Sequence, residues 1–197
     1  HGTLLALEAK INDFPACKIR QNTARDYVLG PVLSQVLGYT ARINREEYST
    51  SKGYTINDYI GKTGLEKYYE AYLRGTPGQS RPEGTRLASS EDEVAKAGVF
   101  LVPVPGDNLV LNIDADLQKR VYDALEKSIK NVGAKKGAAV AMDPRTGAVL
   151  ALVSYPSYDD NLFSGGISQA NYSKIVEDPS KPLFNRAISA QYPTGST

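Results

Sequence analysis

Apolar and polar positions alternate in two different rhythms, and the change falls near residue 107. Before it, apolar residues form short helical patterns broken by turns. Leu4, Leu5, Leu7, Glu8 and Ile11 read as a helix that ends before Phe14-Pro15. Gly30-Pro31 opens a second pattern, with Leu33, Val36 and Leu37 on one face and Gly38 as its stop. Proline early and glycine just past the end is the favoured asymmetry of a helix. A third helix is predicted from about Thr63 to Arg74, with Leu65, Tyr68, Tyr69 and Leu73 facing inward and Gly75 as its cap. Thr63 and Glu66 stand at capping-box spacing, where hydroxyl and carboxylate serve each other's backbone N–H. Gly61 and Gly64 suit the tight entry. Residues 75–107 are rich in Gly, Pro, Ser and charge, and read as a linker or an exposed subdomain edge. Ser90-Glu91-Asp92-Glu93 fits another capping box there.

The second rhythm is cleaner. Leu109 to Ile113 reads as a strand, and Asp114 as the N-cap of the helix behind it. Leu117, Val121, Leu125 and Ile129 mark one buried helical face. Two strands follow, Ala138 to Met142 and Ala148 to Ser154, joined by the turn Asp143-Pro144-Arg145-Thr146-Gly147. Strand, helix, strand, strand with a tight hairpin predicts an antiparallel sheet backed by a helix. The fold class is therefore α+β, with one domain over 1–107 and a second over 108–197.

Composition narrows function mainly by exclusion. Of 197 residues, 41% are hydrophobic and 23% charged, as in ordinary globular chains, and the net charge of +1 offers no nucleic-acid surface. No apolar run approaches the ~20 residues that span a bilayer. The single cysteine, Cys17, forbids an internal disulfide and reads as a small buried thiol. With His1 as the only histidine, neither a His-based triad nor a His-ligated metal is expected, and no cofactor is implied. The chain lacks an initial methionine, and both ends read as truncated.

Isolated motifs each have an ordinary reading. Lys62-Thr63-Gly64 matches a signature of serine acyltransferases but leads into a helix here, which makes it a helix entry. Tyr68-Tyr69-Glu70-Ala71-Tyr72 at helical spacing reads as half core, half interface. Asp159-Asp160-Asn161 reads as a turn, with no calcium-loop spacing behind it. Gly195-Ser196-Thr197 alone is a turn delivering a serine to a helix start.

Read together, the segments say more. Asp143-Pro-Arg-Thr-Gly-Ala-Val-Leu-Ala-Leu-Val-Ser154, Pro156-Ser-Tyr-Asp159, Asn161-Leu-Phe163, Pro182-Leu-Phe-Asn-Arg-Ala187 and Tyr192-Pro-Thr-Gly-Ser-Thr197 occur in this order. That series resembles the start of the transpeptidase domain of class B penicillin-binding proteins, nearest to their elongation-type members. Ile60-Gly-Lys-Thr-Gly-Leu-Glu-Lys-Tyr-Tyr-Glu70, Leu73-Arg-Gly75 and Ile113-Asp114 with Leu117-Gln118 resemble the non-catalytic pedestal and its junction. Arg25-Asp-Tyr27 and Val36-Leu-Gly-Tyr39 fit the pedestal's earlier part. Each motif is moderately specific; their joint order is highly specific. Residues 80–100 depart from the family's pattern, and Thr194 stands where it usually has a second proline.

The resemblance implies that Ser196 is the acylated serine of Ser-x-x-Lys, its own N–H forming part of an oxyanion hole. The lysine would fall two residues past Thr197, and the later Ser-x-Asn and Lys-Thr-Gly motifs further on. It implies peptidoglycan stem peptides as substrates and β-lactams as covalent inhibitors. It implies a membrane-embedded glycosyltransferase and rod-shape scaffold proteins as partners. The parent would face the periplasm from an N-terminal membrane anchor, and the 197 residues alone would be inert. The competing expectation is a non-catalytic scaffolding module.

Overall fold

The computed structural model describes residues 24–78 and 102–191. The predicted helix over Leu4 to Ile11, Cys17, the Ser90–Glu93 capping box and Ser196 lie outside the described residues.

The first part begins with a 3-10 turn, Gly30–Val32, that runs into α1, Ser34–Leu37. Gly38 ends it as predicted, with φ 77°. A Cβ there would lie 2.0 Å from the Thr63 carbonyl oxygen, so only glycine allows the two backbones to meet. β1 (Thr40–Arg42) pairs antiparallel with β2 (Tyr59–Gly61), and α2 (Arg45–Thr50) lies between them in sequence. Asn44 and Glu47 close a reciprocal capping box on α2.

The third predicted helix is two short ones, α3 (Gly64–Tyr68) and α4 (Glu70–Leu73), broken at Tyr69. Its inner face is also turned by about one residue. Tyr68 is 79% exposed, whereas Glu66 is buried. The capping box does not form, because Thr63 makes no side-chain cap and Glu66 points inward. Arg25 pairs with Glu66 at 3.0 Å, and the Tyr27 hydroxyl donates to it at 3.3 Å. Glu70 likewise accepts from the Gly61 N–H at 2.8 Å and the Tyr54 hydroxyl at 3.1 Å. Two carboxylates drawn to Tyr27, Tyr54 and Gly61 thus override the apolar pattern that would have buried Tyr68.

The second part is a helix on a hairpin. The expected strand from Leu109 to Ile113 is absent: the stretch is irregular, Val110 is fully exposed, and no described strand pairs with it. A strand exists only where a partner accepts its backbone bonds, and among the described residues only the Asp114 N–H reaches across, to the Leu150 carbonyl. α5 (Ala115–Asn131) starts where expected, Asp114 accepting from the Leu117 N–H at 2.9 Å. β3 (Gly137–Met142) and β4 (Val149–Tyr155) form the antiparallel hairpin, with an irregularity at Ala141/Met142. In the turn, Gly147 holds φ 74° and Asp143 accepts from the Arg145 N–H. α5 packs across both strands, Gly137 leaving room for Ile129. α6 (Asn161–Ser164), α7 (Gln169–Val176) and α8 (Arg186–Ser189) follow.

The core joins the two parts. Tyr39 stacks on Phe163 with ring centroids 3.9 Å apart, and both meet Tyr158 edge-on. Beneath lie Ala151 and Val153 of β4. No helix among the described residues is long and apolar enough to cross a membrane.

Candidate functional site: the segment leading to Ser196

What the structure describes is the platform from which the chain runs to Ser196. Its base is Ser154 at the end of β4, buried where an apolar strand residue would be ordinary. Its hydroxyl donates to the Phe184 carbonyl at 3.3 Å and accepts from the Arg186 N–H at 3.0 Å. One side chain thereby registers the loop before α8 against the sheet.

Arg186 holds that loop from the other side. It is 5% exposed, yet no carboxylate among the described residues pairs with it. Its guanidinium donates to the carbonyls of Ser180, Lys181 (3.2 Å) and Phe184 (3.1 Å). Burying a cation is costly unless hydrogen bonds replace its hydration, and three carbonyls converge on this one. The loop must curl around it, and Lys181 accordingly takes a positive φ of 51°. Asn185 caps α8, accepting from the Ala187 N–H at 3.1 Å, and its amide nitrogen donates to the Gln35 carbonyl at 3.0 Å. The Gln35 side chain returns a bond to the Pro182 carbonyl. The platform thus touches α1 as well as β4.

Gln118 ties α1's neighbourhood to the same strand. It is fully buried, donates to the carbonyls of Val32 (2.7 Å) and Leu152 (2.8 Å), and accepts from the Leu152 N–H (2.8 Å). Nearer the core, Tyr27 and Asn161 bond reciprocally. Burial and the Glu66 carboxylate push the Tyr27 hydroxyl up to about 12. Asp160 beside it is fully buried, and neither carboxylate oxygen has a partner among the described residues. Burial pushes its carboxyl up to about 7, with Asp159 and Glu66 adding to the rise. Asp159-Asp160-Asn161 is the turn expected, Asp159 accepting from the Asn161 N–H at 3.0 Å. A cleft of about 660 Å³ opens between Arg25, Glu66, Glu70 and Arg74 and the stretch Pro103–Gly106, remote from this platform.

Sequence reasoning found the hairpin and the Asp114 cap, but gave no role to Gln118, Ser154, Asn185 or Arg186. A signal existed for one of them: Gln118 stands on the edge of the Val121–Leu125–Ile129 stripe, where a polar residue must find partners.

Residues 1–111 match the penicillin-binding protein dimerisation domain, and residues 137–197 the penicillin-binding protein transpeptidase domain. This chain belongs to the penicillin-binding proteins. Among them it is similar to the peptidoglycan D,D-transpeptidase MrdA of Acinetobacter baumannii, 39% identical over 186 residues, which covers 93% of this chain and 26% of that protein. The MrdA of Escherichia coli K12 is 36% identical over 190 residues, 93% of this chain and 28% of its own. The chain thus spans little more than a quarter of these curated relatives. A solved penicillin-binding protein, PBP2 of Pseudomonas aeruginosa, superposes with TM-score 0.66 at 36% identity, over 86% of this chain and 32% of that one. PBP2 of Helicobacter pylori, solved in complex with MreC, gives TM-score 0.69 at 30% identity, over 94% and 33%. The α+β fold, a dimerisation-type domain followed by the start of a penicillin-binding transpeptidase domain, is as the sequence implied.

Proposed function

We propose that these residues form the first part of a peptidoglycan D,D-transpeptidase, with Ser196 as its nucleophile. The observation that carries this reading is the match to the transpeptidase domain over 137–197, which runs through Ser196, in a chain whose curated relatives bear that activity in their names. The chemistry is acyl transfer through a covalent intermediate. Ser196 Oγ attacks the D-Ala-D-Ala carbonyl of a stem peptide, the peptide bond breaks, and D-alanine leaves with the proton. An amine of a neighbouring strand then attacks the ester and restores the serine. At the first turn of a helix, free N–H groups favour the developing oxyanion. A lysine three residues on lies on the same helix face and takes the serine's proton.

The same reading places the change of domain near residue 107. It sets the protein in the cell envelope, facing the periplasm from an N-terminal anchor, with β-lactams as covalent inhibitors and a membrane-embedded glycosyltransferase as a partner. The test is labelling by a fluorescent penicillin in the full-length protein that carries this segment. One covalent adduct is expected, lost in Ser196→Ala; labelling that survives Ser196→Ala removes the serine from its role.

A second, compatible reading assigns the first part of the chain to partner docking. Tyr68 and Tyr72 stand exposed there, and the neighbouring structure from Helicobacter pylori is a complex of PBP2 with MreC. Titration of purified MreC against the wild type and the variant Tyr68→Ala/Tyr72→Ala separates this from a bare surface: equal affinities would dismiss it.

A further inference from the structure

The loop before α8 is held from two sides. Ser154 and Arg186 fix it to β4, and Gln35 fixes it to α1. The second attachment crosses from residues that match the dimerisation domain to residues that match the transpeptidase domain. It is also reciprocal: Gln35 donates from its side chain to the Pro182 carbonyl and accepts at its own carbonyl from Asn185. Pro182 is buried, and Gln35 and Asn185 are half-buried, so the contact is partly sheltered from water.

We propose that the Gln35–Asn185 contact is a positioning contact, through which the dimerisation part sets the placement of the segment that carries Ser196. The inference rests on reading Ser196 as the nucleophile. Asn185 uses the two ends of one amide for two tasks. Its oxygen caps α8, and its nitrogen binds α1. The direction of α8, from which the chain continues to Ser196, is therefore tied to the position of α1. α1 cannot simply follow the loop, because Gln118 anchors the Val32 carbonyl just before it to Leu152 of β4. Loss of the Gln35 contact thus leaves the loop held at Ser154 alone, so that Asn185 and α8 can pivot about that point instead of carrying α1 along. A misplacement near 1 Å at a reacting group lowers rate by up to about 100-fold without touching the chemistry itself.

The amide chemistry supplies a discriminating variant. Asn185→Asp keeps the oxygen that caps α8, loses the donor to Gln35, and sets a carboxylate against a carbonyl. Gln35→Ala removes the bond to Pro182 from the other partner. The measurement is stopped-flow acylation of the full-length protein by a fluorescent penicillin across concentrations. It separates the pre-acylation dissociation constant from the acylation rate constant, and thermal melting is recorded in parallel. The expected result is an acylation rate constant lowered about 10-fold or more in either variant. The pre-acylation constant should stay within about 2-fold, and the double variant should be little worse than the worse single one. Wild-type acylation rate constants in both variants overturn the inference, whether or not melting temperature falls, because a merely structural contact would move melting alone. Ser196→Ala runs beside them: persistent labelling there defeats the nucleophile reading, whereas abolished labelling with unaltered Gln35 and Asn185 variants defeats only the positioning role.

Discussion

Tyr27 and Asn161, 134 residues apart in sequence, exchange two hydrogen bonds of 2.9 Å: the Tyr27 N–H donates to Asn161 Oδ1, and Asn161 Nδ2 donates to the Tyr27 carbonyl. One amide thereby satisfies both backbone groups of a residue whose ring is in the core. Truncation to Asn161→Ala leaves the Tyr27 N–H without a partner, while its carbonyl keeps the Gly30 N–H at 2.9 Å. The expected destabilisation is about 1–3 kcal/mol, read as a lower urea midpoint at unchanged slope. A midpoint equal to wild type would mean that water takes the amide's place.

Asp160 sits next to that amide with the opposite character, a buried carboxyl lacking any described partner. Its folded pKa is raised from 3.8 to about 7, chiefly by burial, so the folded state holds its proton over a range where the unfolded chain has released it. Stability from this group is complete below pH 3.8 and is lost as pH rises toward 7. The full swing is on the order of 4 kcal/mol. Asp160→Asn, which cannot ionise, should flatten the fall and be the more stable protein at pH 8. Parallel stability curves for the two proteins between pH 4 and 8 would refute the assignment.

Glu66 and Thr63 offer a contrast that sequence alone reads the wrong way round. As a capping box the two would share one modest role. In the structure Thr63 makes no cap, while Glu66 pairs with Arg25 at the surface and accepts from the buried Tyr27 hydroxyl. Thr63→Ala should therefore cost under about 1 kcal/mol, below the usual loss of a working cap. Glu66→Ala should cost about 2–3 kcal/mol, reduced from the fully buried case because Arg25 remains partly exposed. Equal losses in chemical denaturation would restore the capping box.

Local chemistry was legible and distant partnership was not. Gly38 as a helix stop, Asp114 as a cap and Asp143 to Gly147 as a turn are each decided within a few residues, and each stands as expected. The strand at Leu109 failed because a strand is a relation with another strand, and its apolar residues do not name one. Tyr68 failed because Tyr27 and Gly61 draw two carboxylates inward. The platform of Ser154, Asn185 and Arg186 was hidden for the same reason: a buried polar side chain is explained only by the group it meets. Family order, in contrast, survives in sequence because it lies along the chain.

Gly38 gives a sharper test of close packing. With φ 77° and the Thr63 carbonyl 2.0 Å from where a Cβ would sit, Gly38→Ala combines backbone strain with a collision against backbone that cannot rotate away. The expected cost is above about 3 kcal/mol, at the upper end of single-residue effects. Soluble expression with a wild-type melting temperature would show that α1 and the Thr63 turn separate more easily than their contact suggests.

The last prediction concerns a polypeptide of these 197 residues alone. A serine hydroxyl at neutral pH is a weak nucleophile, and a positioned base contributes about 100- to 10,000-fold to its attack. The residue three positions beyond Ser196 would be number 199, so the sequence of 197 residues does not include the lysine that the Ser-x-x-Lys pattern requires. Helix N–H groups can stabilise an oxyanion only after attack has begun, and do not replace the base. Incubation of the 197-residue polypeptide with a fluorescent penicillin should give no covalent band, while the full-length protein carrying the same segment is labelled. Covalent labelling of the short polypeptide at Ser196 would show that the base comes from within these residues.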